Sequence, residues 1–305
     1  MPASTTASTT VRPSAIAGAW YPGTAPALRR TVEEYLDAAA LVTLPGPLMA
    51  LVAPHAGYRY SGPTAAHAYA QLRPRPAFRR VVLLGPLHRL IRGSPLGAVM
   101  VPTEDAYQTP LGPVAVDHDF IAALGQKIQL PVAFRPTPVR RDEEHSLEIQ
   151  LPFLQVALGN AEHGPAAHGP FTLAPLMLGM SVDEPGAPAG LDALAGALAE
   201  TMDDETLLVA STDLSHLDDY ADAVRIDRAL AELVAAFDVD GLVEALRAKR
   251  VHACGGAGLV TVLRACQLRG ARGARVLAYA ASGDVTGDKR PGVYTVGYLA
   301  AAVHS

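Results

Sequence analysis

Cysteine is scarce in this 305-residue chain, which has only Cys254 and Cys266, and aromatic residues make up just 6% with a single tryptophan, Trp20. Two cysteines cannot build a disulfide framework, so each must be read as a buried, catalytic or metal-bound thiol. No unbroken apolar run reaches the roughly 20 residues of a membrane span, and the opening MPASTTASTT lacks the basic start and apolar run of a signal peptide. The expectation is a cytoplasmic protein without a membrane partner. Positive charge is not in excess either, with 25 Lys and Arg against 30 Asp and Glu and no basic run, so nucleic acid is not an expected partner.

What the chain does have is apolar mass: half its residues are hydrophobic, enough for a large core. Residues 1–10, rich in Ser and Thr, read as a disordered tail, and residues 11–305 as one domain. Thr24 is placed to cap a helix with Pro26 in its first turn, and Leu28, Val32, Tyr35 and Leu36 fall on one face of it. Beyond it, short apolar runs alternate with helix-like stretches. The runs are LMALVAP, RRVVLLGP, FTLAPLMLG, ETLLVAST, ARVLAYAASG and GVYTVGYLAAAV. Between them lie GPTAAHAYAQL, HSLEIQLPFLQVAL, GLDALAGALAETM, RIDRALAELVAAFDVDGLVEALRA and GLVTVLRACQL. This alternation predicts an α/β fold, a mostly parallel or mixed sheet flanked by helices. The Pro/Gly-rich stretches 160–170 and 182–190 read as surface loops.

In such sheets binding sites form beyond the carboxyl ends of strands. Three expected strands end in ionisable groups: LVAPH in His55, VVLLGPLH in His88, and LLVASTDLSH in Asp213 and His216. A fourth segment, RVHACGGAGLVTVL, puts Cys254 in a Gly-rich turn before a helix, where the positive helix end would lower a thiol pKa. Imidazole and thiolate are ligands for zinc, copper and iron, so the group points to a metal or nucleophilic site. In RRDEEHSLEIQLPF, His145 and Glu148 stand three apart; they either share a helix face beside a ligand or form a solvated helix start. Trp20 reads as a pocket wall or as core, and Cys266 as core. Tyr58 and Arg59 follow the His55 turn, and Arg59 is suited to meet an anion. His67, His118, His163, His168, His252 and His304 read as surface or packing residues.

Seven motifs in order, AGAWYPG, APHAGYRYSG, LLGPLH, YQTPLG, DEEHSLEIQLPF, STDLSH and ACGGAG, resemble the Memo family, also called AmmeMemoRadiSam system protein B. The resemblance runs from about Val11 to Val303. It implies a single domain similar to the catalytic subunit of class III extradiol dioxygenases, which bind non-haem iron with two His and one Glu. It further implies a metal held by His55, His88 and Cys254. His216 would then be acid/base or a fourth ligand, with Asp213 orienting it and His145, Glu148, Trp20, Tyr58 and Arg59 around the pocket. Iron is the expected metal, with copper or zinc as alternatives, because Cys254 stands where dioxygenases keep a carboxylate. Two departures bear on pocket shape: Leu87 precedes His88 where a small polar residue is usual, and CGGAGL lacks the usual Gly-Pro after the cysteine. The implied function is a metal-dependent oxidoreductase acting on a small aromatic or phenolic substrate. The alternative is a non-catalytic scaffold binding metal or peptide. The family name implies AMMECR1-like and radical-SAM proteins as partners.

Overall fold

The apolar runs pair into one mixed sheet of nine strands. The computed structural model describes residues 9–74, 78–88, 97–128, 133–159 and 171–305. Four parallel strands form the centre of the sheet, in the order β2 (Leu48–Ala53), β9 (Thr206–Ser211), β3 (Arg80–Pro86) and β8 (Thr172–Leu178). Beyond β8, β4 (Ala98–Pro102) runs antiparallel to it, and β7 (Ala133–Thr137) runs parallel to β4. At the other side, β12 (Thr295–His304) runs antiparallel to β2, β10 (Asp213–Leu217) and β11 (Gly273–Ala281). A separate three-stranded sheet joins β1 (Val11–Arg12), β5 (Ala106–Thr109) and β6 (Gly112–Ala115).

Alternation along the central strands divides the core in two. Ala50, Val52, Val82, Leu84, Leu208 and Ala210 face one layer, while Leu51, Ala53, Val81, Leu83, Leu207 and Val209 face the other. The first layer packs under α3 (His118–Lys127), α5 (Ala187–Thr201), α6 (Tyr220–Ala235), α7 (Val239–Arg247) and α8 (Gly256–Leu268). The second packs under α1 (Ala25–Ala38), α2 (Tyr58–Tyr69) and α4 (Leu151–Gly159). A short α9 (Ser282–Thr286) precedes the last strand. Strands buried on both faces have no polar alternation, which is why they read as continuous apolar runs. No helix among the described residues is long and apolar enough to cross a membrane.

Several local expectations change. Helix α1 buries Leu28, Val32 and Leu36 as its spacing predicts, but the Thr24 side chain makes no capping bond. Helix α2 starts at Tyr58, four residues before the GPTAAHAYAQL stretch, and carries Pro63 inside it. Pro63 can be tolerated because the one hydrogen bond it removes would have gone to the carbonyl of Arg59, an exposed residue in the first turn. The HSLEIQLPFLQVAL stretch becomes helical only at a 3-10 turn over Glu148–Gln150, so His145 stands outside it. Strands β4 to β7 are not among the six runs read from sequence, since each is only four or five residues long. The expected loop at 160–170 lies outside the described residues, as do His163, His168 and residues 1–8 of the tail.

The sheet has one discontinuity that matters for function. β12 pairs with β2 through Ala301–His304, but with β10 through Thr295–Tyr298. The β9–β10 chain thus takes up pairing with β12 just where β2 stops. Polar residues at the ends of β2, β3 and β9 are gathered at that break.

Candidate metal centre

His55 follows the break most directly. β2 ends at Ala53, Pro54 cannot continue the ladder, and Gly57 caps α2, so the chain reverses within four residues. The Oδ1 of Asp213 accepts from the His55 backbone N–H at 2.7 Å, and the Ala56 N–H bonds the same carboxyl. His55 is only 1% exposed. Its Nδ1 lies 3.0 Å from Ser211 Oγ at the end of β9. Burial, and then the neighbouring His88 and His145, hold its pKa well below the ordinary imidazole value, so the ring is neutral at pH 7.

His88 stands two residues beyond β3, its side chain 31% exposed. Glu144 holds it at two points: Oε2 accepts from the His88 backbone N–H at 2.6 Å, and Oε1 lies 3.1 Å from His88 Nδ1. Oε1 also accepts from the N–H groups of His145 and Ser146, each at 2.8 Å. Burial alone would raise the Glu144 carboxyl, but the His88 bond and charge, with the Ser146 and His88 N–H groups, hold it down at about 2. At neutral pH it is an anion that orients a histidine, the arrangement common behind metal-bound imidazoles.

Cys254 arrives from the other layer, in the turn before α8. A side chain at Gly255 would put its Cβ 2.3 Å from the Ser211 carbonyl oxygen, so only glycine lets this turn cross the end of β9. The Cys254 N–H donates to the Asp213 carbonyl at 3.2 Å, and Sγ comes to 3.1 Å from His55 Nε2. One ligand atom each from His55, His88 and Cys254 lie within 4.8 Å of one another. The expected lowering of the thiol pKa by the helix end is overturned. Burial, and next the charge of Asp213, push the Cys254 thiol well above its usual range, outweighing the turn's N–H groups. A thiol so placed keeps its proton at neutral pH.

Two imidazoles and a thiol are a donor set suited to iron, copper or zinc. His88, Glu144 and His145 form a second group of similar closeness. That group is the poorer candidate, because Glu144 already accepts from three backbone N–H groups and the His88 ring.

His55 and His88 open on a cleft of about 1150 Å³ lined by Trp20, Arg59, Tyr60, His145, His216 and Tyr294 among others, while Cys254 lines a smaller cavity of about 350 Å³ that His216 shares. Trp20 packs on His145 with ring centroids 4.2 Å apart, and His145 stacks on His88 at 4.7 Å. His216 lies on β10 with Nδ1 2.8 Å from Tyr294 Oη. Burial and the neighbouring His88 lower its pKa. Asp213 bonds the backbone of His55 and Ala56, while the His216 ring bonds Tyr294. Burial pushes the Asp213 carboxyl up to about 7 against those two N–H bonds.

Two residues singled out in the sequence lie away from the cleft. Tyr58 is 3% exposed and donates to the Ile149 carbonyl at 2.9 Å, among Tyr21 and Phe153. Glu148 is fully buried and does not meet His145. It accepts from Arg12 Nη1, Ser14 Oγ, Tyr21 Oη and the N–H groups of Ala15 and Ile16 at 2.5 to 3.3 Å. Cys266 is buried in α8 as expected, and His67, His118, His252 and His304 join no cluster among the described residues. Sequence reasoning passed over Glu144, Ser211 and Tyr294. Glu144 was hidden in an acidic run, and the other two carry no signal in a single sequence.

An α/β domain with converging His, His and Cys donors at its strand ends is the class of protein these observations define. The chain belongs to the Memo-like family, whose model, described as Memo-like protein, matches residues 12–302. It is 35% identical to a MEMO1 family protein of Methanopyrus kandleri, over 95% of this chain and 97% of that one. It is 34% identical to a MEMO1 family protein of Aeropyrum pernix, over 96% and 99% of the two chains. A MEMO1 family protein of Thermotoga maritima is 32% identical, over 95% and 98%.

Proposed function

We propose that this protein is a metal-dependent oxidoreductase that holds iron through His55, His88 and Cys254 and acts with dioxygen on a small phenolic substrate. The observation that carries the reading is the approach of those three donors to within 4.8 Å of one another, with His55 and His88 lining an open cleft. Iron held there by His55, His88 and Cys254 would supply redox chemistry toward dioxygen. The chain's own residues do the rest. Trp20, Tyr60 and Tyr294 give the cleft flat apolar walls for an aromatic ring, and Arg59 provides a cation for a phenolate or carboxylate. His216 faces the cleft neutral at pH 7, able to take a proton from a phenolic hydroxyl at Nε2 while Nδ1 stays with Tyr294.

Metal analysis of protein purified anaerobically and supplied with Fe(II) is the first test. One iron per chain is expected, and none in the His55→Ala, Cys254→Ala double variant. Absence of metal, or retention unchanged in the double variant, refutes the site. Retention of copper or zinc instead would move the chemistry away from dioxygen cleavage. Screening catechols, hydroquinones and aminophenols for oxygen uptake then separates an enzyme from a scaffold. Uptake that depends on His216 is expected, and a complete lack of it leaves a metal-binding scaffold.

A further inference from the structure

The hydrogen bonds behind His55 can be counted proton by proton. Gln150 is 1% exposed, and its Nε2 lies 3.0 Å from the Pro54 carbonyl and 2.8 Å from Ser211 Oγ. Turning the amide over would set Oε1 against the Pro54 oxygen, two acceptors face to face, so the orientation is fixed. Tyr69 Oη completes it by donating to Oε1 at 2.8 Å. Both Nε2 hydrogens are therefore assigned, one to Pro54 and one to Ser211.

Ser211, itself fully buried, has one proton of its own. Its Oγ stands 2.6 Å from the Ser146 carbonyl oxygen, a separation that requires the hydroxyl hydrogen between the two oxygens. With that proton committed, and with one lone pair receiving Gln150, Ser211 can only accept from His55 Nδ1 at 3.0 Å. The His55 proton must then sit on Nδ1. Its Nε2 carries a lone pair aimed at Cys254 Sγ, 3.1 Å away.

We infer that Ser211, held by Gln150 and the Ser146 carbonyl, is a positioning residue that locks His55 in the Nδ1–H tautomer, so that its Nε2 is ready for a metal before any metal arrives. The inference rests on the metal-binding reading above and deepens it. Glu144 sets the same tautomer on His88, because Oε1 already accepts from the His145 and Ser146 N–H groups and Oε2 from the His88 N–H, a carboxyl placed to accept from Nδ1 as well. The two histidines reach the same state by different means, one through a charged partner at the solvent side and one through a neutral, buried relay. Removing the Ser211 hydroxyl frees the His55 proton to move to Nε2, where it stands between the ring and Cys254 and must be expelled when metal binds.

The test uses the full chain in metal-free, reduced form, labelled with 15N-histidine. Long-range 15N–1H correlation should show His55 with a protonated, pyrrole-type Nδ1 and an unprotonated, pyridine-type Nε2. The reverse pattern overturns the inference without touching the metal reading. Ser211→Ala should shift the His55 signals toward the Nε2–H form and weaken zinc(II) affinity, read by competition with a chromophoric chelator, by about 10- to 100-fold. An affinity within twofold of wild type, or unchanged His55 signals in the variant, overturns it. Should wild-type protein show the Nδ1–H tautomer yet bind neither zinc nor iron, the lock stands and the metal reading falls. The wild-type spectrum decides the tautomer even if the variant fails to fold.

Discussion

The buried knot around Glu148 and the cluster of His55, His88 and Cys254 meet at one residue, Glu144. Its carbonyl accepts from Arg12 Nη2 at 2.7 Å, while its carboxylate holds His88. Glu148 spends its lone pairs on five donors, three of them from the N-terminal segment 14–16, and its charge is matched by Arg12. In the cluster, by contrast, Ser211 and Glu144 each take one ring nitrogen, Nδ1, and the remaining bond, Cys254 Sγ to His55 Nε2, joins two of the converging donors themselves. A polar group whose partners are complete is holding the fold together. One whose partners stop short, all facing one point, is prepared for something that comes from outside.

If that contrast is right, stability and metal binding should separate cleanly between the two regions. Arg12→Ala strikes the knot hardest, since it leaves Glu148 and Asp142 buried without their cation. The expected cost is about 3–5 kcal/mol in the urea unfolding of metal-free protein. A cost below about 1 kcal/mol would mean that the N–H and hydroxyl donors alone satisfy Glu148. His88→Ala should do the opposite. Its side chain is partly exposed, so unfolding should change by only about 1–2 kcal/mol, the bond it gives the buried Glu144 carboxylate, while bound metal falls to nothing.

Glu144→Gln probes the residue the two regions share. The amide keeps the shape but can present its NH2 to His88, and metal affinity should drop about 10- to 100-fold. Stability against pH gives a second reading of the same variant. The folded Glu144 carboxyl, at about 2, lies below its unfolded value near 4.5. Its contribution is therefore fully present above pH 4.5 and lost as pH falls toward 2. Wild type should lose on the order of 2–3 kcal/mol more than the variant over that window, measured by denaturant titration at stepped pH. Parallel curves would show that Glu144 gains no net stabilisation from His88 and its N–H partners.

Much of the cluster could be read from residue type and strand position. His55 and His88 sit where apolar runs end and Cys254 in the Gly-rich turn before a helix, and chain reversal at Pro54 and Gly255 leaves His55 and Cys254 little room to point elsewhere. The sheet was legible for the same reason, because β2, β3, β8 and β9 are buried on both faces and stand out as unbroken apolar runs. The short strands β4 to β7 were not, since four or five residues give no period to detect. Nor could spacing separate Glu144 from Glu148. They flank His145 within five residues, Glu144 closing the acidic run 142–144 and Glu148 four residues on, and only the tertiary packing of segment 12–16 against Glu148 decides which one is left to face a histidine. The thiol pKa failed for a different reason: the helix end acts over the first turn, but desolvation of a buried sulfur outweighs it.

The smallest effect should come from Tyr294, and it sharpens the contrast by a different route. Ser211 is a fixed acceptor because its proton is committed, and it suits a histidine that must not change state. Tyr294 Oη is 2.8 Å from His216 Nδ1 on a residue that is 58% exposed, so its hydroxyl hydrogen can turn to solvent and its oxygen accept from Nδ1–H whether Nε2 is bare or protonated. That is the partner a residue needs if it gains and loses a proton in each cycle. Tyr294→Phe should therefore leave unfolding within about 0.5 kcal/mol of wild type. Oxygen uptake on a phenolic substrate should fall by less than about tenfold, against about 10²–10⁴ for His216→Ala, where the proton-transfer group itself is gone. Equal losses in the two variants would instead make Tyr294 as necessary as His216 and place the working proton on the pair. A histidine that works by changing state would then be held as tightly as one that must not, and exposure would no longer tell the two apart.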